Sequence, residues 1–392
     1  MIKLKYLCKS FSTPITQSEL LMTGDYPVFG ASGKVGYLNR CYSDREYLGI
    51  IKDGAGVGRI SIYEKNSSLL GTMAYIIPEP STDIGWLKYA IESLSLEENI
   101  SSTTIPHIYF SEYGNRYVRY INIKQQKEVA SYLDEKCTEI DNAIAKTTAS
   151  IEEYKKLKQS IITKAVTKGI RGNRPMKDSG IEWIGEIPSD WEICKVRHIG
   201  TLQNGISKGG EFFGSGFPFV SYGDVYRNIS LPACVDGLVQ SSSEEQKLYS
   251  VQEGDIFFTR TSETIEEVGF SSVCENDIPK ATFAGFLIRL RPNKNKIYSG
   301  FSKYYFRSSH HRSFLVKEMN LVTRASLGQS LLKSMFVLLP GMNEQYEIAE
   351  YLDSKCNEID NIISRKQQLI TELEAYKKSL IYEYVTGKKE VV

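Results

Sequence analysis

The segment YLDEKCTEIDN at residues 132–142 recurs as YLDSKCNEIDN at residues 351–361, which lies 219 positions further along the chain. The match extends over residues 126–167 and 345–386, where 20 of 42 aligned positions are identical without a gap. Identity at this level over such a length indicates an internal duplication, and a duplication of this kind organises the whole fold.

Both copies carry apolar residues at alternating spacings of three and four, and neither copy contains glycine or proline. Such sustained heptads predict long helices with a coiled-coil seam, and we expect the two helices to pack on each other antiparallel. Lys158, Lys366 and Lys377 also fall on the seam, where they either face solvent near an end or fix register and orientation. The seam is assigned to Leu133, Cys137, Ile140, Ile144 and Ile151, and in the second copy to Leu352, Cys356, Ile359, Ile363 and Ile370.

The regions before the two helices also correspond, although more loosely. Short apolar runs such as 3–7 and 195–199 predict strands, and an amphipathic helix is expected over 84–96 and again over 299–317. The fold class is therefore α+β, a mixed α/β protein with two globular domains joined by two long helices in a pseudo-two-fold repeat. The predicted order is a globular domain at 1–122, a helix at 123–170, a linker at 171–180, a globular domain at 181–340 and a helix at 341–392.

The linker region, KGIRGNRPMKDSG at 168–180, combines glycine, proline and basic residues as an exposed hinge does. Its basic residues either contact phosphate or only add solubility, and the sequence leaves both interpretations open.

Antiparallel helices would hold the two unlike globules at the ends of a rod. Because DNA repeats its groove geometry about every 34 Å, such a spacer suits a reader of two different half-sites with an unread gap.

The composition excludes several classes of protein. The chain has 392 residues and a net charge of +1, so it lacks the bulk basic excess of many nucleic-acid binders. It has neither an apolar run near the roughly 18 residues of a membrane span nor the apolar core of a signal peptide, so we expect a cytoplasmic protein. The seven cysteines form no Cys-x-x-Cys, which predicts reduced thiols without structural zinc. The pair His310-His311 is predicted to lie at the surface.

A search for catalytic motifs in the sequence finds none. The chain has no Pro-Pro pair for the base-binding loop of an adenine methyltransferase, and Arg59 stands where the run GAGVGR at 54–59 would need the third glycine of a dinucleotide fingerprint. The triplet Glu153-Tyr154-Lys155 has the local form of a nuclease motif but falls in mid-helix, so it is interpreted as helix surface. We therefore expect no catalytic residue, no metal and no cofactor in this chain.

Four stretches resemble the specificity (S) subunits of type I restriction–modification systems, and the resemblance covers essentially the whole chain. They are GDYPVFGASG at 24–33, DGAGVGR at 53–59, DSGIEWIGEIPSDWE at 178–192, and the helices that open Gln-x-Glu-[Val/Ile]-Ala-x-Tyr-Leu-Asp. The resemblance implies a subunit that catalyses nothing itself. Each globule would be a target-recognition domain that reads one half of a bipartite, asymmetric double-stranded DNA site.

The same resemblance implies partners. The spacer helices would set the unread gap and dock two methyltransferase (M) subunits that methylate adenine, and motor-nuclease (R) subunits would join to cut unmethylated DNA. S-adenosylmethionine, ATP and Mg²⁺ would belong to those partners.

Two alternatives to a specificity subunit remain. A cytoplasmic coiled-coil scaffold that joins two binding modules fits the helix repeat equally well, whereas a stand-alone restriction enzyme is disfavoured by the missing motifs.

The DNA-reading residues are sought among polar, basic and aromatic side chains in Gly-rich loops and at strand ends, because base edges in the major groove carry the sequence information. Arg59, Arg260 and Arg324 are the strongest candidates, since arginine pairs bidentately with guanine. The candidates of the first globule are Ser32, Lys34, Arg59, Ser102, Thr103, Thr104, His107 and Tyr109. Those of the second globule are Lys208, Tyr222, Arg227, Thr259, Arg260, Thr261, Ser262, Arg324 and Gln329.

Overall fold

The computed structural model describes residues 1–54, 56–94, 96, 106–262, 268–318 and 325–391. Contacts divide the chain into two compact units: unit 1 is Met1–Ala149 with Lys366–Val392, and unit 2 is Ser150–Arg365. Both division points fall inside long helices, so each unit contains part of each helix. In the parts of the chain just given, no helix is both long and apolar enough to cross a membrane.

The secondary structure alternates short strands with helices, of which two are far longer than the rest. The α-helices are α1 Ile84–Glu92, α2 Phe110–Tyr113, α3 Ile123–Lys168, α4 Tyr222–Arg227, α5 Ser243–Leu248, α6 Ser299–Tyr305, α7 Ser309–Glu318, α8 Gln329–Ser334 and α9 Met342–Thr386. The strands of unit 1 are β1 Ile2–Lys3, β2 Cys8–Phe11, β3 Tyr26–Gly30, β4 Gly33–Leu38, β5 Tyr47–Ile51, β6 Ile60–Tyr63, β7 Ser68–Leu69, β8 Met73–Pro78 and β9 Tyr117–Val118. Those of unit 2 are β10 Met176–Asp178, β11 Glu186–Pro188, β12 Glu192–Lys195, β13 Gly200–Asn204, β14 Phe213–Val220, β15 Leu238–Val239, β16 Ile256–Thr259, β17 Thr261–Ser262, β18 Ser271–Val273, β19 Thr282–Phe283, β20 Leu287–Pro292, β21 Ala325–Ser326 and β22 Phe336–Leu339.

The two units contain the same pair of sheets. In unit 1 a four-stranded antiparallel sheet has the order β2-β8-β5-β6, and a three-stranded sheet has the order β4-β3-β7. Unit 2 repeats both sheets with the orders β13-β20-β16-β18 and β15-β14-β19. In each three-stranded sheet the middle strand pairs in parallel with its second neighbour, β7 or β19. The duplication seen in the helices therefore extends to the globular parts.

Each unit buries its globule against segments of both long helices. In unit 1 the main core joins Trp86 and Leu87 of α1 to Leu133 of α3 and to Ile381 and Val385 of α9. The equivalent core of unit 2 joins α6, α3 and α9 through Phe301, Tyr305, Ile162, Val166, Ile348 and Leu352. The apolar stripe of each helix thus packs on a globule as well as on the other helix, which a two-helix seam alone would not require.

Within unit 1 the segments of α3 and α9 run antiparallel. The Tyr132 ring packs on the Tyr384 ring at a tilt of 38°, with ring centroids 4.5 Å apart. Further along α3, the Asp141 carboxylate accepts a hydrogen bond of 2.7 Å from the Lys377 ammonium. The partner number on α9 falls as the number on α3 rises, which defines the direction of packing.

Within unit 2 the segments of the same two helices are also antiparallel. Lys158 donates to the Asp360 carboxylate at 2.6 Å, and Arg171 beyond the end of α3 pairs with Glu347 at 2.7 Å. The Lys158–Asp360 pair is the repeat equivalent of the Lys377–Asp141 pair in unit 1. Two of the three seam lysines therefore form equivalent interhelical ion pairs instead of facing solvent.

The residues assigned to the seam differ in how far they are buried. Leu133 and Leu352 are completely buried, whereas the equivalent residues Ile144 and Ile363 are only half-buried. The other assigned residues are all buried, namely Cys137, Ile140, Ile151, Cys356, Ile359 and Ile370.

In unit 1, two polar side chains fasten α1 to α3. The amide of Gln126 is completely buried; its oxygen accepts from the Asp83 backbone N–H at 2.7 Å, and its nitrogen donates to the Ile121 carbonyl at 2.9 Å. About two helical turns further along α3, the Tyr89 hydroxyl donates to the Asp134 carboxylate at 2.7 Å. Burial, followed by this hydrogen bond, raises the pKa of Tyr89. These contacts fix the position of α1 on the long helix.

Unit 2 makes the same contacts at the equivalent positions. The buried Gln345 amide accepts from the Tyr298 backbone N–H at 2.8 Å and donates to the Pro340 carbonyl at 2.9 Å. The Tyr304 hydroxyl donates to the Asp353 carboxylate at 2.7 Å. The way in which a globule is attached to its helix is therefore part of the duplicated unit.

We expect Gln126→Ala to lower the free energy of unfolding by about 3 kcal/mol, because buried backbone groups at two helix starts lose their partners. Urea unfolding followed by circular dichroism measures this change. The control is Gln368→Ala, since the Gln368 side chain is exposed on α9 and bonds the side chain of Glu372. Equal midpoints for the two variants would contradict the anchoring role of Gln126.

Three local predictions differ from the structure. Residues 3–7 and 195–199, predicted as strands, contain single 3₁₀ turns at Leu4–Tyr6 and Val196–His198. The helix predicted over 299–317 is two helices, α6 and α7, separated at 306–308. Inside this break, the Arg307 guanidinium turns away to donate to the carbonyls of unit 2 at Ser271, Val225, Tyr226 and Asn228.

The segment 171–180, predicted as an exposed hinge, is exposed but held by ion pairs. Arg171 pairs with Glu347, and Arg174 pairs with both Asp190 and the buried Glu344. Strand β10 inside this segment pairs with β11. The carboxylates of Glu347, Glu344 and Asp190 thus neutralise Arg171 and Arg174. The segment is therefore more ordered than its composition indicated.

The prediction that His310-His311 lies at the surface is wrong. Both side chains are buried, and both pack their rings against Tyr305 at centroid distances of 5.0 and 4.5 Å. His310 Nδ1 also forms a hydrogen bond of 2.9 Å with the Ser308 hydroxyl. Burial lowers the pKa of His310 from 6.5 to about 4, so the imidazole is neutral in the folded protein at neutral pH.

This burial gives the protein a pH-dependent stability. The unfolded chain binds a proton at His310 near pH 6.5 and the folded chain only near pH 4, so the free energy of unfolding falls as the pH falls between these values. We expect a loss of about 2 kcal/mol from this group between pH 7 and pH 5. His310→Asn removes this contribution, so urea titrations at both pH values should show a smaller loss for the variant. The same loss in both proteins would refute the assignment.

Candidate nucleic-acid interface

The loop between β5 and β6 of unit 1 has a backbone that depends on glycine. Gly54, Gly56 and Gly58 have φ angles of 85°, 82° and 86°, in the left-handed region that side chains with a Cβ rarely adopt. The Gly58 N–H donates back to the Ile51 carbonyl at 2.8 Å, which closes the loop. The chain then leaves the loop at Arg59, directly before β6.

Arg59 and Ser32 are brought together although they are far apart in sequence. The Arg59 guanidinium donates to the Ala31 carbonyl at the tip of the β3–β4 hairpin. Ser32, Arg59, Ser61 and Tyr63 line a cavity of about 360 Å³ beside this tip. The side chains of Ser32 and Arg59 are exposed, so both are available to a ligand at this edge of unit 1.

Other predicted residues of the first globule lie beside the same loop. His107 Nδ1 lies 2.6 Å from the Asp53 carboxylate, and the Gly54 N–H donates to the Pro106 carbonyl at 3.0 Å. Tyr109 is exposed, with its ring roughly parallel to that of His107 at 6.5 Å. These contacts add His107 and Tyr109 to the edge that carries Arg59.

Lys34 lies on β4, where its exposed ammonium donates to the Tyr37 hydroxyl at 2.9 Å. It therefore belongs to the same hairpin as Ser32 but bonds along its own strand. The predicted contacts Ser102, Thr103 and Thr104 lie outside the described residues.

In unit 2 the corresponding loop follows β16 and also carries an arginine. The backbone of Arg260 is held on both sides, because its N–H donates to the Phe286 carbonyl at 2.9 Å and its carbonyl accepts from the Leu327 N–H at 2.7 Å. Its side chain is half-exposed, next in the chain to β17, where Thr261 and Ser262 pair with β21. Arg324, the third strong candidate, lies outside the described residues.

Thr259 does not belong to a DNA interface. It is the last residue of β16 and is completely buried, and its hydroxyl accepts a hydrogen bond of 2.9 Å from the Phe270 N–H. A side chain without exposed surface cannot reach a base edge. The pattern Thr-Arg-Thr-Ser after an apolar strand gave no sign of which residue was still inside the sheet.

The remaining predicted residues of unit 2 lie in different surroundings. Lys208 donates to the Glu245 carboxylate at 2.8 Å, and this hydrogen bond lowers the pKa of Glu245. Gln329 donates to the Asn204 side chain at 3.0 Å. Tyr222 stacks within α4, and Arg227 at the end of α4 is exposed. Lys208 and Gln329 thus have structural partners, whereas Arg227 is accessible.

Phe286 is an interface candidate that the sequence did not indicate. It lies between β19 and β20, its side chain is 63% exposed, and its carbonyl bonds the backbone of Arg260. The polarity of a short apolar run does not indicate which of its aromatic residues is exposed, so the candidate search did not include it. Among the described residues, no group of three or more His, Cys, Asp and Glu side chains is placed to hold a metal ion.

Comparison with known families gives a match over residues 188–375 to the model described as the type I restriction modification DNA specificity domain. The chain is 26% identical over 349 residues to the type I restriction enzyme MjaVIII specificity subunit of Methanocaldococcus jannaschii, covering 87% of this chain and 79% of that protein. It is 22% identical over 293 residues to the type I restriction enzyme EcoBI specificity subunit of Escherichia coli, covering 70% and 60%.

Two solved structures share the fold. One, from a study of complex assembly and conformational transition of the type I R-M system, has a TM-score of 0.71 at 13% identity and covers 99% of this chain and 100% of that chain. The other, the HsdS subunit from Thermoanaerobacter tengcongensis, has a TM-score of 0.52 at 13% identity and covers 99% and 96%. At such low identity this likeness establishes the fold alone.

Proposed function

Because the chain belongs to the specificity subunits of type I restriction–modification systems, we propose that each of its units reads one half of a bipartite, asymmetric DNA site. The observation that carries this proposal is the position of the candidate arginines. Arg59 and Arg260 lie on the corresponding connections, β5 to β6 in unit 1 and β16 to β18 in unit 2. Each unit thus has one accessible arginine on the same connection between equivalent strands.

The interface that we propose for each half-site follows from these loops. In unit 1 it consists of Ser32, Arg59, His107 and Tyr109, around the cavity beside the hairpin tip. In unit 2 it consists of Arg260, Thr261, Arg227 and Phe286. Lys34, Lys208, Tyr222, Ser262 and Gln329, and the candidates outside the described residues, remain predictions of DNA contact.

The proposal extends to the partners of the chain. The chain itself would catalyse nothing and hold no cofactor; two methyltransferase subunits docked on the long helices would supply S-adenosylmethionine, and motor-nuclease subunits would supply ATP and Mg²⁺. The whole complex would act on double-stranded DNA in the cytoplasm. Gln126 and Gln345 attach the two globules to their helices by equivalent hydrogen bonds. This repetition supports the proposal that both units bind their half-sites in the same way.

The experiment that tests this function is methylome sequencing of a host that expresses the chain with its methyltransferase. Arg59→Ala should relax base preference in one half-site only, and Arg260→Ala in the other half-site only. Each arginine, if paired with guanine, contributes about 1–3 kcal/mol of discrimination, which corresponds to about 5- to 150-fold.

The controls are Lys124→Ala in unit 1 and Lys355→Ala in unit 2, which remove an exposed cation from a long helix and should leave the methylated sequence unchanged. A change in both half-sites from a single arginine variant would contradict the assignment of one unit to each half. No methylation change from either arginine variant would contradict the proposed interface.

We further propose that α3 and α9 form an antiparallel coiled coil that sets the unread gap. Adding seven residues to each helix, between Asp141 and Lys158 in α3 and between Asp360 and Lys377 in α9, keeps the heptad phase and lengthens the helices by about 10 Å. The gap should grow by about three base pairs, at 3.4 Å each, while both half-sequences stay the same. Methylome sequencing reports the gap directly, and an unchanged gap would remove the spacer role.

A further inference from the structure

Unit 2 has a cavity of about 480 Å³ at the end of α3, here named the α3-end cavity. Its walls are partly apolar, with Ile161, Ala165, Ile170 and Met176 around the ring of Tyr351. Tyr351, Ile170 and Met176 each expose 37% of their surface, so the apolar wall is open to solvent. The basic residues that line the same cavity are Lys164, Lys168, Arg171 and Arg174, of which Arg171 pairs with Glu347 and Arg174 with Glu344 and Asp190.

The internal repeat explains why this space is open. Tyr351 is the equivalent of Tyr132, and Ala165 is the equivalent of Tyr384. In unit 1 the Tyr384 ring packs on the Tyr132 ring, with their hydroxyls 3.1 Å apart. In unit 2 the alanine supplies no ring, so the position that Tyr384 fills in unit 1 is left open above Tyr351.

The charge at the two equivalent positions is reversed. Lys164 stands where unit 1 has Glu383, and Arg171 stands where unit 1 has Glu390. Residues 154–172 contain six basic and no acidic residues, whereas the equivalent stretch 373–391 contains three glutamates and four lysines. Lys164 is exposed at the rim of the cavity. In unit 1 the chain's own Glu383-Tyr384 pair therefore shows the chemistry that would complement the opening in unit 2.

The apolar wall distinguishes a protein ligand from nucleic acid. A duplex backbone would use the cations but has no group suited to the space above an aromatic ring, because its contacts are mainly phosphate and sugar. An aromatic side chain stacked on Tyr351 gains buried area together with the ring contact, typically about 0.5–1.5 kcal/mol for the pair. Acidic neighbours of that side chain would match the exposed Lys164 at the rim.

We propose that the α3-end cavity is a docking site for an acidic segment of a partner protein, which inserts one aromatic side chain onto Tyr351. The site exists once per chain, since Tyr384 closes the equivalent position in unit 1. It does not depend on DNA recognition by the loops around Arg59 and Arg260, so two identical partners of this kind would not bind the two units equally.

The test uses the full chain and a tyrosine-containing acidic peptide, Glu-Glu-Tyr-Glu-Glu, in titrations followed by ligand-observed NMR of the tyrosine ring. We expect one weak site with a Kd on the order of 10⁻⁴ M, as befits a short ligand. The analogue Glu-Glu-Ala-Glu-Glu should bind at least about tenfold more weakly, because it lacks the ring. A short duplex without a recognition site should not displace the tyrosine peptide.

Variants of the chain locate the site. Lys164→Glu should weaken binding by at least about fivefold, since it reverses the charge of the rim. The matched control, Lys156→Glu, makes the same charge change at an exposed position of α3 outside the cavity and should leave binding within about twofold. Ala165→Tyr should close the site, and the double variant Glu383→Lys, Tyr384→Ala should open a second one, which raises the stoichiometry to two.

Three outcomes would overturn the proposal. They are no binding of the tyrosine peptide at millimolar concentration, equal weakening by Lys164→Glu and Lys156→Glu, and displacement of the peptide by duplex DNA. The last result would assign this surface to phosphate contact instead. Thermal unfolding of each variant verifies that it is folded, and the exposed Lys164 variant keeps the test decisive if Ala165→Tyr does not fold. Loss of this site would leave the methylome test of half-site reading unaffected.

Discussion

A single buried amide at the start of each long helix determines where the rest of its unit lies. Gln126 in unit 1 has no exposed surface, and its oxygen and nitrogen bond backbone groups of the segments that enter α1 and α3. Leaving a buried polar group without a partner costs about 1–3 kcal/mol, so the two helix starts have one low-energy arrangement. Gln345 imposes the same arrangement in unit 2. The hydrogen bonds of Gln126 and Gln345 thus help to position the sheets of each unit, and the loops at their edges, on the long helices.

The interhelical ion pairs specify alignment more than they add stability. Lys158 and Lys377 keep 29% of their side chains exposed and their aspartate partners about half, and pairs of this kind contribute about 0–1 kcal/mol. Each pair connects equivalent repeat positions, so α3 and α9 are aligned by the same contact within each unit. The two lysines that interrupt the heptad pattern therefore form equivalent interhelical ion pairs in the two units.

The sequence predicted the parts of the fold that follow from periodicity. The helices expected over 123–170 and 341–392 are found at Ile123–Lys168 and Met342–Thr386, because heptads without glycine or proline leave little freedom. It failed where burial depends on a distant partner. Thr259 looked like the start of a loop but is held by Phe270, and His310 looked like surface but is covered by aromatic rings. Neither partner is adjacent in sequence, so local polarity misled both predictions.

The two units share a frame but not their edges. In unit 1, β3 returns directly through Ala31 and Ser32 into β4, whereas in unit 2 the strand β14 is followed by α4, β15 and α5 before β16. The half-buried Arg307 anchors this addition, since its guanidinium bonds the carbonyls at the end of α4 and stacks over Phe270 at 4.9 Å. If the units read two half-sites as proposed, the difference between those sites would arise at these edges, because the strand orders and helix attachments behind them are the same. A repeated pair of sheets with different connecting segments is what the proposed reading of two unlike half-sites would require.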